Sequence, residues 1–446
     1  MFSFIFIVPF PVGEEKQQAM ALKSLNPISS LHHHSYTQNH LSLSLSLSKF
    51  HLHTSSHSSQ MVKEKSLDGK GGVVLTAPLS LDGNESDSDY RTPNIIQRIL
   101  SLLAAVRPGS DLTRLQLPPQ FNIPKSQLQL YGESVYSVRS NMLSKCVEEE
   151  TPLGRLVAVV AWSISTLRPL PFGVAPYNPL LGETHHVSAA SLNVLLEQVS
   201  HHPPVTALHA TDEKANIEIL WCQSPIPKFY GSHIETEVVG KRQLKLVEQK
   251  ETYTLNSPKL VIRFLPFSGV DWIGDVRIRC EETELEAQLC YRGNSFWPRP
   301  SIHRSIKGKI VRSSTSHTIY EINGHWDRSV VVKDVATGKQ TTIYDAREAL
   351  SGLKTPILKD PQAVCSSESS LVWSEVSRAI QEKRWDKARE SKSEIEERQR
   401  EMARERELKG EEWVPKHFTV FHTKESGWDC VPNNNVVAPA PIIVTD

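Results

Sequence analysis

Polar and apolar residues alternate with a period of two through much of the middle of the chain. Val276-Arg277-Ile278-Arg279-Cys280, Leu285-Glu286-Ala287-Gln288-Leu289 and Gln243-Leu244-Lys245-Leu246 each send apolar side chains to one face and polar ones to the other, as half-buried strands do. Between about 185 and 345 such runs are separated by turn signals: Val239-Gly240-Lys241, Leu255-Asn256-Ser257-Pro258, Asn323-Gly324 and Thr337-Gly338-Lys339. Many consecutive strands joined by short turns predict an antiparallel sheet, and closing it into a barrel removes its exposed edges. A barrel with this many strands is too wide for side chains to fill, so it is expected to enclose a cavity.

Helical periodicity frames this region. In 94–106, NIIQRILSLLAAV, the residues Ile95, Ile99, Leu102 and Val106 recur at helical spacing, and Ile96, Leu100 and Leu103 widen the stripe. Pro93 suits a helix start and Pro108-Gly109 an end. So short and apolar a helix is marginal alone and must lie against something: it packs on the core, or it is a movable lid over a cavity, continued by Leu112, Leu115 and the chain to Phe121. Residues 151–167, TPLGRLVAVVAWSISTL, read as a buried helix. From Leu371 to Gly410 the chain is helical and nearly neutral, with eleven Lys/Arg against ten Asp/Glu. Pairs such as Glu394–Arg398 and Glu396–Arg400 fit a solvated face.

The 446 residues suffice for one large domain or two ordinary ones. Fifty basic residues balance fifty acidic ones, so no overall field draws the molecule to nucleic acid and electrostatic recognition must be local. The six cysteines are scattered with no Cys-x-x-Cys pair, which fits reduced thiols in the cytosol. The apolar opening MFSFIFIVPFPV lacks a basic start and carries Pro9 and Pro11, unlike a signal peptide. Low-complexity His and Ser runs follow, up to an abrupt change at Met61. Residues 1–60 are therefore expected to be an upstream extension or disordered tail, with Met61 as a start and a plastid transit peptide as the competing reading; scarce arginine speaks against the latter. Residues 61–93 read as a polar linker, 94–425 as the folded domain, and 426–446 as a C-terminal tail. No apolar run reaches the ~20 residues of a membrane-spanning helix.

The chemistry concentrates in Glu197-Gln198-Val199-Ser200-His201-His202-Pro203-Pro204. Adjacent histidines on a regular strand would face opposite ways. Pro203 and Pro204 supply no ladder donors, so the strand is expected to stop here and leave both rings at a rim. There they offer donors to phosphate, with a cationic form if an anion raises the pKa. A zinc site lacks its further ligands, and neither a nucleophile elbow nor a Walker-type loop accompanies the pair. No catalytic residue, metal or cofactor is expected, and the chain is read as a binding protein rather than an enzyme.

The complete EQVSHHPP string resembles the fingerprint of the oxysterol-binding protein family. Tyr177-Asn178-Pro179-Leu180-Leu181-Gly182-Glu183-Thr184 resembles its Asn-Pro-Leu-Leu-Gly-Glu element, 392–400 its basic C-terminal helix, and Trp413-Val-Pro-Lys-His-Phe418 its closing motif. The likeness spans about 94–420 and is to the short plant members that consist of the lipid-binding domain alone. It implies an α+β fold: a large, incomplete antiparallel β-barrel around an apolar tunnel, with an N-terminal helical lid and flanking helices that include the charged C-terminal one. The tunnel would hold one sterol, hydroxyl inward, in exchange for phosphatidylinositol 4-phosphate, under a lid and pocket of Ile95, Ile96, Ile99, Leu100, Leu103, Leu112 and Leu115. At the mouth Asn178 would bond the inositol phosphate, and His201 and His202 the 4-phosphate. Lys392 and Arg400 would bind phosphate or inositol oxygens while Glu396 accepts from a hydroxyl; their i, i+4, i+8 spacing puts all three on one helix face. Where the family often has a gripping Lys or Arg, this chain has Ala175, a departure that would cost ~1.5–3 kcal/mol of phosphoinositide binding; Arg168 is the candidate substitute. The chain would then be a cytosolic monomer touching endoplasmic-reticulum or Golgi-type membranes transiently. A carrier of another lipid such as phosphatidylserine, or a lipid-gated adaptor, are the alternatives.

Overall fold

A computed structural model describes residues 73–79, 94–137, 140–168, 170–293, 302–350, 353–424 and 427–445. The expected extension 1–60 and most of the linker 61–93 lie outside the described residues. Residues 73–79 do pack: Leu79 is buried with Ile123, Leu130 and Val174, and the carbonyl of Ala77 accepts from the Lys125 ammonium, which also pairs with Glu133.

One fifteen-stranded sheet forms the body. Its order runs back through the sequence, from Gln340–Asp345 at one end through successive antiparallel neighbours to Thr184–Ala189. Ile442–Val444 then adds in parallel to Thr184–Ala189, and Ile357–Leu358 closes the row. The two end strands do not pair with each other in this order, so the barrel is incomplete.

Two of the expected turns are not turns. Gly240 lies within the strand His233–Leu246 and Gly324 within Thr318–His325. Both hold positive φ, 127° and 154°, where a neighbouring backbone comes too close for any side chain. A Cβ on Gly240 would lie 1.9 Å from the Cys222 carbonyl oxygen, and one on Gly324 would lie 2.2 Å from that of Ser329. Glycine here serves close approach within a sheet. The other two signals, at 255–258 and 337–339, do separate strands.

Alternation along the strands fills the barrel. Ile217, Ile219, Trp221, Leu244, Leu246, Val276, Ile278, Leu285, Ala287 and Leu289 share one core cluster with Leu156, Val159, Val160, Trp162 and Ile164 of the helix Pro152–Ser165. That helix starts at Pro152 and is capped by Thr151, whose hydroxyl accepts from the Gly154 amide. It plugs part of the interior. The other part is covered by the helix Ile95–Leu103 and the segment after it, whose Ile99, Leu103, Leu112 and Phe121 pack on Phe229 and Phe264.

The expected C-terminal tail belongs to the fold. Gly427–Pro432 pairs with Phe418–Thr423, and Phe418 and Cys430 pack against Val199, Val205, Ala207, Leu220 and Cys222, the other face of the strands that line the interior. The β-branched Ile442–Val444 supplies the parallel strand already noted. The charged region is three helices rather than one: Ser369–Val372, Ser374–Gln381 and Trp385–Lys409.

Glu183 joins these parts. Fully buried, its carboxylate accepts from the hydroxyls of Ser126 and Ser369, the amide of Leu180 and the indole of Trp373. The amide and indole can only donate, whereas the hydroxyls can turn and accept. Glu183→Gln is therefore expected to be milder than Glu183→Ala, which strands two donors and should cost at least about 2 kcal/mol. Urea unfolding midpoints check the order; equal loss for both variants would contradict it.

Candidate functional site

The strand Leu192–His201 ends where Pro203 requires, and the next begins at Pro204. The two imidazole rings sit together at that turn, centroids 4.5 Å apart and planes inclined by 56°. His201 is half-buried and His202 exposed. His201 Nδ1 lies 3.0 Å from the carbonyl oxygen of Pro179. A carbonyl only accepts, so Nδ1 carries the proton and Nε2 is left as an acceptor in the neutral ring. Burial, then the neighbouring His202, push the His201 pKa down to about 4. At neutral pH it is uncharged. His202 is lowered too, by burial and by the charge of Arg114.

The rest of the string holds the turn in place. Glu197 is buried and accepts the amides of Lys416 and His417, both at 2.8 Å; burial raises its pKa against these bonds. Gln198 accepts from Thr206 Oγ1 and donates to the Ser200 carbonyl. Gly182 N donates to the Gln198 carbonyl and Gln198 N to that of Glu183, while the Trp413 ring covers Gly182. Three separate sequence motifs thus converge on one lip of the barrel.

Asn178 is exposed and immediately precedes the Pro179 carbonyl that holds His201. Ala175 pairs with Asn122 in a short parallel sheet, and its carbonyl accepts from the Asn122 amide group. Arg168 does not take the place of a cation there. It is buried, and its guanidinium donates to the carbonyls of Ser165, Glu133 and Ser137.

On the helix Trp385–Lys409, Lys392 is buried and its ammonium donates to Glu396 at 2.6 Å and to the Leu117 carbonyl at 2.8 Å. Lys392 and Glu396 are therefore together, as their spacing suggests. Arg400 instead pairs with Glu397 at 2.7 Å, so the expected Glu396–Arg400 pair is not formed and Glu397 also takes Arg404. No Glu394–Arg398 pair occurs either among the described contacts.

The covering segment bridges the two groups. The charge of Arg114 is felt at His202, and the Leu117 carbonyl anchors Lys392. Of the residues expected to form the cover, Ile99, Leu103 and Leu112 are buried in its cluster, with Ile95 and Leu115 packed against them. Ile96 and Leu100 are only half-buried and lie outside that cluster, whereas Leu102 and Val106 belong to it. Arg114 is a candidate contact that the motifs do not mark; the visible signal is a cation set between Leu112 and Leu115.

Between the helix Gln127–Tyr136 and the sheet lies a cavity of about 90 Å³, bounded among others by Leu130, Tyr131, Leu170, Val238 and Trp272. Lipid-sized ligand pockets occupy roughly 300–1,000 Å³. A lipid therefore fits only when the cover moves off the rim or the lining repacks.

The family model described as oxysterol-binding protein matches residues 101–437. The chain is 52% identical over 376 residues to oxysterol-binding protein-related protein 4B of Arabidopsis thaliana, covering 84% of this chain and 98% of that one. Among solved structures, it is similar to the Osh1 ORD domain in complex with cholesterol, with a TM-score of 0.64, 22% identity and coverage of 82% and 90%. It is also similar to the Osh3 ORD of Saccharomyces cerevisiae in complex with PI(4)P, with a TM-score of 0.60, 20% identity and coverage of 82% and 95%. The incomplete barrel, its apolar cover and the motifs gathered at its lip agree with that match along the chain, which belongs to the oxysterol-binding protein family.

Proposed function

We propose that the protein is a lipid carrier that holds one sterol in the barrel and exchanges it for phosphatidylinositol 4-phosphate between membranes. The observation that carries this reading is the cover: an apolar cluster of Ile99, Leu103, Leu112 and Phe121 seated on Phe229 and Phe264, above an interior lined by alternate strand residues. Burying ~400 Å² of sterol surface favours the complex by on the order of 10 kcal/mol before entropy and lid ordering are subtracted. That suffices to carry a poorly soluble molecule through water. The Osh1 domain with cholesterol and the Osh3 domain with PI(4)P support the same two ligand classes here.

Asn178, His201, His202, Lys392, Glu396 and Arg400 are the proposed headgroup residues. Lys392 is held by the Leu117 carbonyl of the cover, so a headgroup that takes the lysine loosens the cover at the same time. This links the state of the lid to the ligand at the mouth. The carrier is proposed to act without covalent chemistry, as a monomer, touching membranes peripherally and transiently. No helix among the described residues is long and apolar enough to cross a membrane.

Transfer of labelled sterol between liposomes tests the reading. The native chain is expected to accelerate transfer, and Leu103→Asp to reduce both transfer and retention severalfold by putting a charge into the cover cluster. Lipid binding without any acceleration would point to an adaptor, and phosphatidylserine as the only lipid moved would point to a different carrier.

Phosphate binding should also take up a proton. In the free protein His201 is neutral down to about pH 4, and a bound phosphate raises that pKa by stabilising the imidazolium. Between the two pKa values affinity must rise as pH falls, by up to about tenfold per unit for one coupled proton. Binding of phosphatidylinositol 4-phosphate measured from pH 8 down to 4.5, with the His201→Ala variant as reference for the headgroup's own ~6 second pKa, is expected to show this slope over the window between the two imidazole pKa values. The His201→Ala variant should lose it; a flat native profile would contradict the assignment.

A further inference from the structure

The cavity between the helix Gln127–Tyr136 and the sheet is lined by two guanidiniums, Arg168 and Arg242, and by no carboxylate. Arg242 lies on the strand His233–Leu246, on the same face as Ile234, which packs on the cover, and Val238, which lines the cavity. It sits deeper than either, opposite Trp221, and is only 5% exposed. One of its five N–H donors is placed, Nη2 reaching Thr166 Oγ1 at 3.0 Å. Its Nε has no partner, and neither does Trp221 Nε1 or Arg168 Nε in the same lining. The guanidinium lies 4.0 Å from the centre of the Trp221 ring.

Such a cation is poorly compensated. Burial lowers both arginines to about 10, and the ionisable groups that act on Arg242 are the phenols of Tyr291 and Tyr131. Burial pushes both phenols up, so they remain neutral and supply no counter-charge. A buried guanidinium without an anion is unfavourable, and three unmatched donors around one small space mark a place for an acceptor. The space is small, about 90 Å³, well below the roughly 300–1,000 Å³ of a pocket that takes a whole ligand.

We propose that this cavity seats a single anionic oxygen group, a carboxylate or a sulfate, of an amphipathic lipid that enters head first, with Arg242 as its main partner. The proposal rests on the lipid-carrier reading and adds the charge of the ligand's buried end. Leu130, Leu170, Val238 and Trp272 line the same space, and Phe172, Ile234 and Phe264 lie further out beneath the cover. A ligand there meets donors at its head and hydrocarbon along its body.

Competition against labelled cholesterol on the full chain decides this, with unlabelled cholesterol, cholesterol sulfate and palmitate as competitors. Cholesterol sulfate, palmitate or both should displace the label at concentrations at least about tenfold below unlabelled cholesterol, as a charge-assisted bond predicts. Which of the two succeeds tells a steroid source from an acyl one. Arg242→Gln should bring the potencies to within about twofold, while the variant with both His201→Ala and His202→Ala keeps the preference. Equal potency of all three competitors overturns the proposal. So does a preference that survives Arg242→Gln, or one lost with the histidines, which would place the anion at the mouth. Should the glutamine variant not fold, the native ratio read against the histidine variant decides alone. If labelled cholesterol does not bind at all, the lipid-carrier reading fails and this proposal with it.

Discussion

The lip of the barrel is held by two buried carboxylates, Glu183 and Glu197, and the geometry of the site depends on them. Among the described residues neither forms a salt bridge; both work by accepting hydrogen bonds, most of them from groups brought from far along the chain. Glu183 fixes the turn at Leu180 to the helical region at Ser369 and Trp373. Glu197 draws the amides of Lys416 and His417 onto the strand that ends at His201. Burial raises the pKa of each, while each donor favours the ionised form. Losing a carboxylate would leave main-chain amides unpaired in the interior, which is costly. The position of the Pro179 carbonyl, and hence the tautomer of His201, follows from this frame.

Inside, two helices divide the barrel. Pro152–Ser165 fills one part with Leu156, Trp162 and Ile164, and Ile95–Leu103 covers the other. The first sits in the main core and has no alternative place. The second rests on a separate, smaller cluster; the segment after it is hydrogen-bonded to the strand Ile217–Phe229 through the amides of Gly109, Leu112 and Phe229, and Lys392 of the charged helix holds it at the Leu117 carbonyl. A difference in buried area of this kind sets which element opens first.

Much of this was legible in the sequence because period-two alternation and proline are local signals. Val276–Cys280 and Leu285–Leu289 are strands, as their alternation requires, and Pro203 stops the strand at His201. Gly240 and Gly324 misled because glycine announces backbone freedom without saying what uses it; only the neighbouring strand shows that close approach, not a turn, is the reason. Ile442–Val444 was too short a run to read as a strand without its partner Thr184–Ala189. The pairing of Arg400 with Glu397 was unreadable for another reason. Long charged side chains on one helix choose among partners that differ by only a few tenths of a kcal/mol. Arg168 was the candidate substitute for a phosphate-gripping cation and Arg242 carried no sequence signal; only their burial reveals that both face inward.

The central claim is that a lipid lies inside the sheet, between the cover and the plugging helix, and not on the outer surface. Photo-crosslinking with a diazirine-bearing sterol, followed by peptide mass spectrometry, tests it directly. Labels are expected on inward residues such as Val238, Trp221, Trp272 and the apolar side chains of Ile95–Leu103. Labels confined to outward positions such as Leu220 or Val431, with the inward set untouched, would contradict the account.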